Sequence, residues 1–104
     1  MRIMSIHISC YTNYSPAEAQ ERLNVLSGKH SKIFPFHYCL SDVVVPHPIQ
    51  KEISNEFGLD PSSYFIVSVN NKALEISIDE IAKMIRKEFG KENVIVLLNG
   101  EDLI

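Results

Sequence analysis

The sequence predicts a single α/β domain built on a mixed β-sheet with helices on both faces, in the order βαβαββαβ. Three observations carry this. Segments with apolar residues at alternate positions, or in short unbroken apolar runs, take turns with segments whose apolar residues recur every three to four positions. Two serine-led capping boxes, Ser15-Pro16-Ala17-Glu18 and Ser77-Ile78-Asp79-Glu80, mark helix starts. The four glycines stand singly at segment ends, and 104 residues is a one-core length.

Residues 3–10 open the fold as a strand, with Ile6, Ile8 and Cys10 on one face and Ser5, His7 and Ser9 on the other. The first helix follows the Ser15 box. Pro16 suits its first position, Ala19, Leu23 and Leu26 form its inner stripe, and Gly28 offers a stop. Residues 33–40 read as a second strand, with Pro35 placing it at an edge or at a bulge. Val43-Val44-Val45 extends that strand or forms a buried loop, and Pro46-His47-Pro48 discourages helix before Pro48. Ile49, Ile53 and Phe57 then line a short helix ended by Gly58.

After the turn at residues 60–63, residues 64–69 form an apolar strand of the kind buried on both faces. Asn70 and Asn71 suit a tight hairpin into a return strand at 73–76. The third helix carries Ile78, Ile81, Ile85 and Phe89 and stops at Gly90. Residues 93–98 are a last buried strand, from which Asn99-Gly100 turns the chain into a short terminal segment.

From residue 48 to residue 90 this order resembles the C-terminal half of a thioredoxin-like domain, with the last strand added. The matching stretch is 49–58, 64–69, Asn70-Asn71-Lys72 and 73–76. The resemblance implies a reactive site just after strand 1, where Cys10 falls. The chain departs from that pattern in having no Cys-x-x-Cys, and in placing Ser62 and Ser63 where the family has a cis-proline.

Composition narrows the function classes. The chain is 45% apolar and 22% charged, as in ordinary globular domains. Its net charge of −3 argues against binding nucleic acid by phosphate neutralisation. The longest apolar run, residues 94–98, is too short to cross a bilayer, and the N-terminus lacks a signal-peptide pattern. Two cysteines are too few for a disulfide scaffold. A cytoplasmic protein with no membrane association is expected, and without a glycine-rich phosphate loop no cofactor is predicted.

Two constellations could carry chemistry. If strands 1 and 2 are parallel neighbours, Cys10 and Cys39 fall together at the sheet rim, where the first helix N-terminus favours a thiolate. The competing reading is two small buried hydrophobes. His7, Cys10, His37 and Cys39 are donors suited to a soft metal, but strand alternation points His7 and Cys10 to opposite faces, so no metal site is assigned.

The aromatics suggest a surface instead. Tyr11 and Tyr14, in a short loop with Thr12 and Asn13, are suited to anchor an interface at the rim after strand 1. His47 in its Pro-His-Pro loop, and Ser62 and Ser63 in the turn before the third strand, complete that candidate surface. The preferred reading is a non-catalytic interaction or regulatory domain that binds a protein partner there. The alternatives are a single-cysteine thiol-exchange protein using Cys10 and a weak soft-metal binder. An open edge at strand 2 or the terminal strand also allows a homodimer.

Overall fold

In the computed structural model, which describes residues 7–34, 38–69, 76–99 and 102–104, eight elements follow in chain order. They are β1 (His7–Thr12), α1 (Pro16–Lys29), β2 (Tyr38–Leu40), α2 (Pro48–Glu56), β3 (Ser63–Val69), α3 (Ile78–Phe89), β4 (Val94–Leu98) and β5 (Asp102–Leu103). The sheet order is β2-β3-β1-β4-β5, and each described pairing is antiparallel.

The α/β class stands. The arrangement within the sheet differs from the one that the thioredoxin-like resemblance implies. β1 and β2 are not parallel neighbours joined by α1, because β3 lies between them and pairs with both. Alternation in sequence gives the face of each strand but says nothing of which strand lies beside it.

The helix caps form as their residue types require. Ser15 Oγ accepts from the Glu18 amide at 3.3 Å, and Ser77 Oγ accepts from the Glu80 amide at 3.2 Å. α1 runs through Gly28 to Lys29, since the His30 amide still reaches the Leu26 carbonyl. α2 has a cap that the sequence did not announce. His47 Nδ1 accepts from the Ile49 amide at 3.4 Å, while Gln50 Oε1 accepts from the His47 amide at 2.8 Å.

Residues 33–34 are a turn rather than strand, with Ile33 and Phe34 buried against the α1 side of the core. Val44 makes a single bridge to Tyr64. Residues 3–6 of the first predicted strand, Pro35, the Asn70-Asn71 turn, return-strand residues 73–75 and Gly100 lie outside the described residues.

Two apolar clusters sit on opposite faces of the sheet. On one, Ile8, Cys10, Phe65, Val67, Val94 and Val96 meet Ala19, Leu23 and Leu26 of α1 and Ile81, Ala82, Ile85 and Phe89 of α3. On the other, Tyr11, Tyr64, Ile95 and Leu97 gather with Leu59 and, partly buried, Ile53 of α2. Each fully buried large apolar side chain stabilises the fold by about 1.5–3 kcal/mol. The first face holds most of them. α2 has only one fully buried side chain, Ser54.

Candidate functional site

The rim formed by the end of β1, the start of β3 and the loop before α2 was the candidate surface, and the structure sorts its residues sharply. β1 extends through Thr12, so Tyr11 and Thr12 belong to a central strand flanked on both sides. Tyr11 is 2% exposed and stacks on Tyr64 with ring centroids 4.8 Å apart. Burial, then the neighbouring Tyr64 and Cys10, pushes its hydroxyl pKa up to about 12. Thr12 and Ser63 are buried as well, and Ser63 Oγ donates to the Tyr14 carbonyl at 2.8 Å. These three are scaffold in the free chain, not surface anchors.

Tyr14 is half-buried by a specific set of contacts. Its hydroxyl donates to the Phe89 carbonyl at 3.0 Å and accepts from Asn93 Nδ2 at 3.2 Å. The Arg22 guanidinium lies 4.3 Å from its ring centroid. Asn13, His47 and Ser62 are exposed. Asn13 is tied to Asn93 by its backbone and its side chain, and the Ser62 amide donates to the Thr12 carbonyl at 2.9 Å. The structure thus brings Asn13, Tyr14 and Ser62 to one rim.

Cys10 cannot serve as a nucleophile as placed. It is fully buried in the cluster formed with α1, α3 and Phe65, and its sulfur lies 4.0 Å from the Ile8 carbonyl. Burial drives its thiol pKa far above the ordinary range, so the thiolate needed for exchange is suppressed. Cys39 does not join it. Cys10 stands opposite Phe65, whereas Cys39, half-buried on β2, stands opposite Ser68, on the other face and two strands away. His37 lies outside the described residues, and among the described residues no three His, Cys, Asp or Glu side chains gather where they could hold a metal ion.

Besides Val25 on α1 and Leu103 on β5, the large apolar side chains left in solvent among the described residues lie on α2 and in the loop before it. Val44, Val45 and Ile49 are 49%, 68% and 63% exposed, in the loop before α2 and in its first turn, and Phe57 is exposed at its other end. The three consecutive valines ahead of Pro46 carried this signal in the sequence, because a run with no alternation has no defined inward face.

Comparison with known proteins accounts for the fold. Residues 4–102 match the family model described as CDI System Immunity Component. The chain is 30% identical over 98 residues to immunity protein CdiI-2 of Burkholderia pseudomallei (strain 1026b), covering 94% of this chain and 97% of the relative. It also superposes on a chain of the solved CdiA-CT/CdiI toxin and immunity complex from Burkholderia pseudomallei. That match has a TM-score of 0.89 and 28% identity, and covers 94% and 95% of the two chains. These matches run nearly end to end and overturn the thioredoxin-like assignment, which rested on an element order common to many α/β chains. Among the described residues no helix is long and apolar enough to cross a membrane. The chain belongs to the CDI system immunity component family.

Proposed function

We propose that this member of the immunity-component family is the immunity protein of a contact-dependent inhibition system. It acts by binding the CdiA-CT toxin of its own system and does no chemistry itself. The observation that carries this reading is the near end-to-end match to CdiI-2 and to a chain of a toxin–immunity complex. The burial of Cys10 supports it, since the thiol that a redox alternative needs is sealed in the core.

Neutralisation by binding requires a rigid surface more than a reactive group, because ordering costs at the moment of binding subtract from affinity. The rim after β1 is rigid by construction. Asn13 and Ser62 are exposed there on backbone already fixed by hydrogen bonds, and half-buried Tyr14 is held by Phe89, Asn93 and Arg22. His47 is exposed at the cap of α2. These four are the rim contacts proposed for the toxin.

The test is co-expression with the CdiA-CT domain of the same system. Growth should be rescued by this chain, and the two proteins should co-purify. A chain that neither rescues growth nor binds the toxin domain would refute the reading.

A further inference from the structure

We infer that the toxin is held chiefly by the exposed first turn of α2 and the loop before it. Val45 and Ile49 enter an apolar pocket of the toxin, and the carboxylates of the same segment meet cationic groups around that pocket. This deepens the reading of the chain as a toxin-binding immunity protein and rests on it.

Three observations point to this surface. The first is an amphipathic helix whose apolar stripe is only partly covered. Ile49, Ile53 and Phe57 recur at four-residue spacing, a pattern that normally faces a core. Here Ile53 packs against the second cluster, while Ile49 is exposed on the same helix face and Val44 and Val45 are exposed in the loop before it. Scattered exposed apolar residues need no explanation, but three within one six-residue stretch fit an interaction site.

Charge is the second. Residues 42–60 carry Asp42, Glu52, Glu56 and Asp60 against a single basic residue, Lys51, and all five are exposed. Their sum of −3 equals the net charge of the whole chain. The surface of α1 and α3, by contrast, mixes signs, with Lys29, Lys83 and Lys87 near Glu18, Glu21 and Glu88. Exposed apolar side chains in a nearly single-signed acidic segment fit a partner with basic groups beside an apolar recess. Such complementarity sets approach rate and register, while buried apolar anchors supply most of the affinity.

The third is preorganisation. The N-terminus of α2 is locked by the reciprocal His47–Gln50 cap. Its C-terminus is locked by Ser54, whose Oγ donates to the Leu59 carbonyl at 2.9 Å and whose own carbonyl accepts from the Phe57 and Leu59 amides. Beneath it lie Leu59 and the stacked pair Tyr11 and Tyr64. A stable interface takes about 800 Å² from each partner. That is roughly an eighth of the 6398 Å² surface.

The experiment measures binding of the purified full chain to the CdiA-CT domain of its own system, at low and moderate salt. Three variants are compared with wild type: Val45→Ser with Ile49→Ser; Asp42→Asn, Glu52→Gln, Glu56→Gln and Asp60→Asn together; and Lys83→Gln with Lys87→Gln. The inference expects the first to weaken binding by roughly thirtyfold or more, the size of a centrally placed anchor pair. It expects the second to flatten the salt dependence and the third to match wild type. Thermal melts of all variants should overlay wild type, because the altered side chains are exposed. If the apolar pair melts early, the carboxylate variant alone decides.

Wild-type binding that none of the α2-face changes alters would overturn this surface and leave the immunity function intact. Absence of wild-type binding would overturn the function itself. A dimer in sedimentation that the apolar variant dissolves, with toxin binding unchanged, would assign the patch to a second copy and overturn the inference.

Discussion

Replacing Cys10 gives the sharpest discrimination between a thiol-dependent protein and a binding scaffold. The residue is 0% exposed and lies among Ile8, Phe65 and the helices of the first face. Cys10→Ser places a hydroxyl where the acceptor found among the described residues is the Ile8 carbonyl, at 4.0 Å from the present sulfur. Burying a hydroxyl without a full partner costs about 1–3 kcal/mol. In a chain of this size about 2 kcal/mol lowers the melting temperature by roughly 10 °C. Reactivity follows from the same burial. If labelling requires unfolding, a stability of even about 5 kcal/mol slows it more than a thousandfold relative to the unfolded chain. The assay is thiol labelling at pH 8 in a Cys39→Ala background, with and without denaturant, alongside melts of Cys10→Ser. Toxin neutralisation by Cys10→Ala should equal that of wild type. Rapid labelling of the folded protein, or loss of neutralisation in a folded Cys10→Ala, would refute the reasoning.

Three further outcomes are expected. The raised Tyr11 hydroxyl, about 12 against an ordinary 10, favours the neutral phenol in the fold, so its contribution is intact below pH 10 and is lost as pH rises towards 12. Urea unfolding across this range should show a larger loss in wild type than in Tyr11→Phe, because buried Cys10 contributes its loss to both; parallel curves would count against it. Gly90→Ala should cost more than about 1 kcal/mol by melting, because φ is +88° and a new Cβ would meet Asn93 Nδ2 at 2.8 Å, the atom that bonds the Tyr14 hydroxyl. Ile53→Ala should lower stability by roughly 1–2 kcal/mol and Ile49→Ala by less than about 0.5, while only Ile49→Ala directly weakens toxin binding; the reverse order would mean that Ile49, not Ile53, is the residue packed against the sheet.

What the sequence made legible was local. The serine caps of α1 and α3 form where their spacing places them, because a cap depends on residues three positions apart. The runs at 64–69 and 94–98 are strands because they are flanked by turns and are too apolar to lie in solvent. Neighbour order was not legible. A period of two is the same for parallel and antiparallel pairing, and the insertion of β3 between β1 and β2 depends on contacts more than twenty residues apart in the chain. Tyr11 shows how this reaches the site. Read as loop it was an anchor, but with strands on both sides β1 continues through Thr12 and the ring turns against Tyr64.

α2 poses the opposite problem. A four-residue apolar period states which side chains share a helix face and leaves open whether that face meets the sheet or solvent. The sheet decides. Its first face takes two helices of 14 and 12 residues and seals them with large side chains. The second face offers Tyr11, Tyr64, Ile95 and Leu97 to a nine-residue helix, and their cluster engages Ile53 while Ile49 and Phe57 remain exposed. The apolar residues left over are held rigid by caps at both ends, in a segment whose charges are almost all negative. Stability alone does not require Ile49 or Val45 to be apolar, since solvent-exposed positions change stability little when made polar. A protein partner that covers them would supply the missing reason, and under the proposed function that partner is the toxin of the chain's own system.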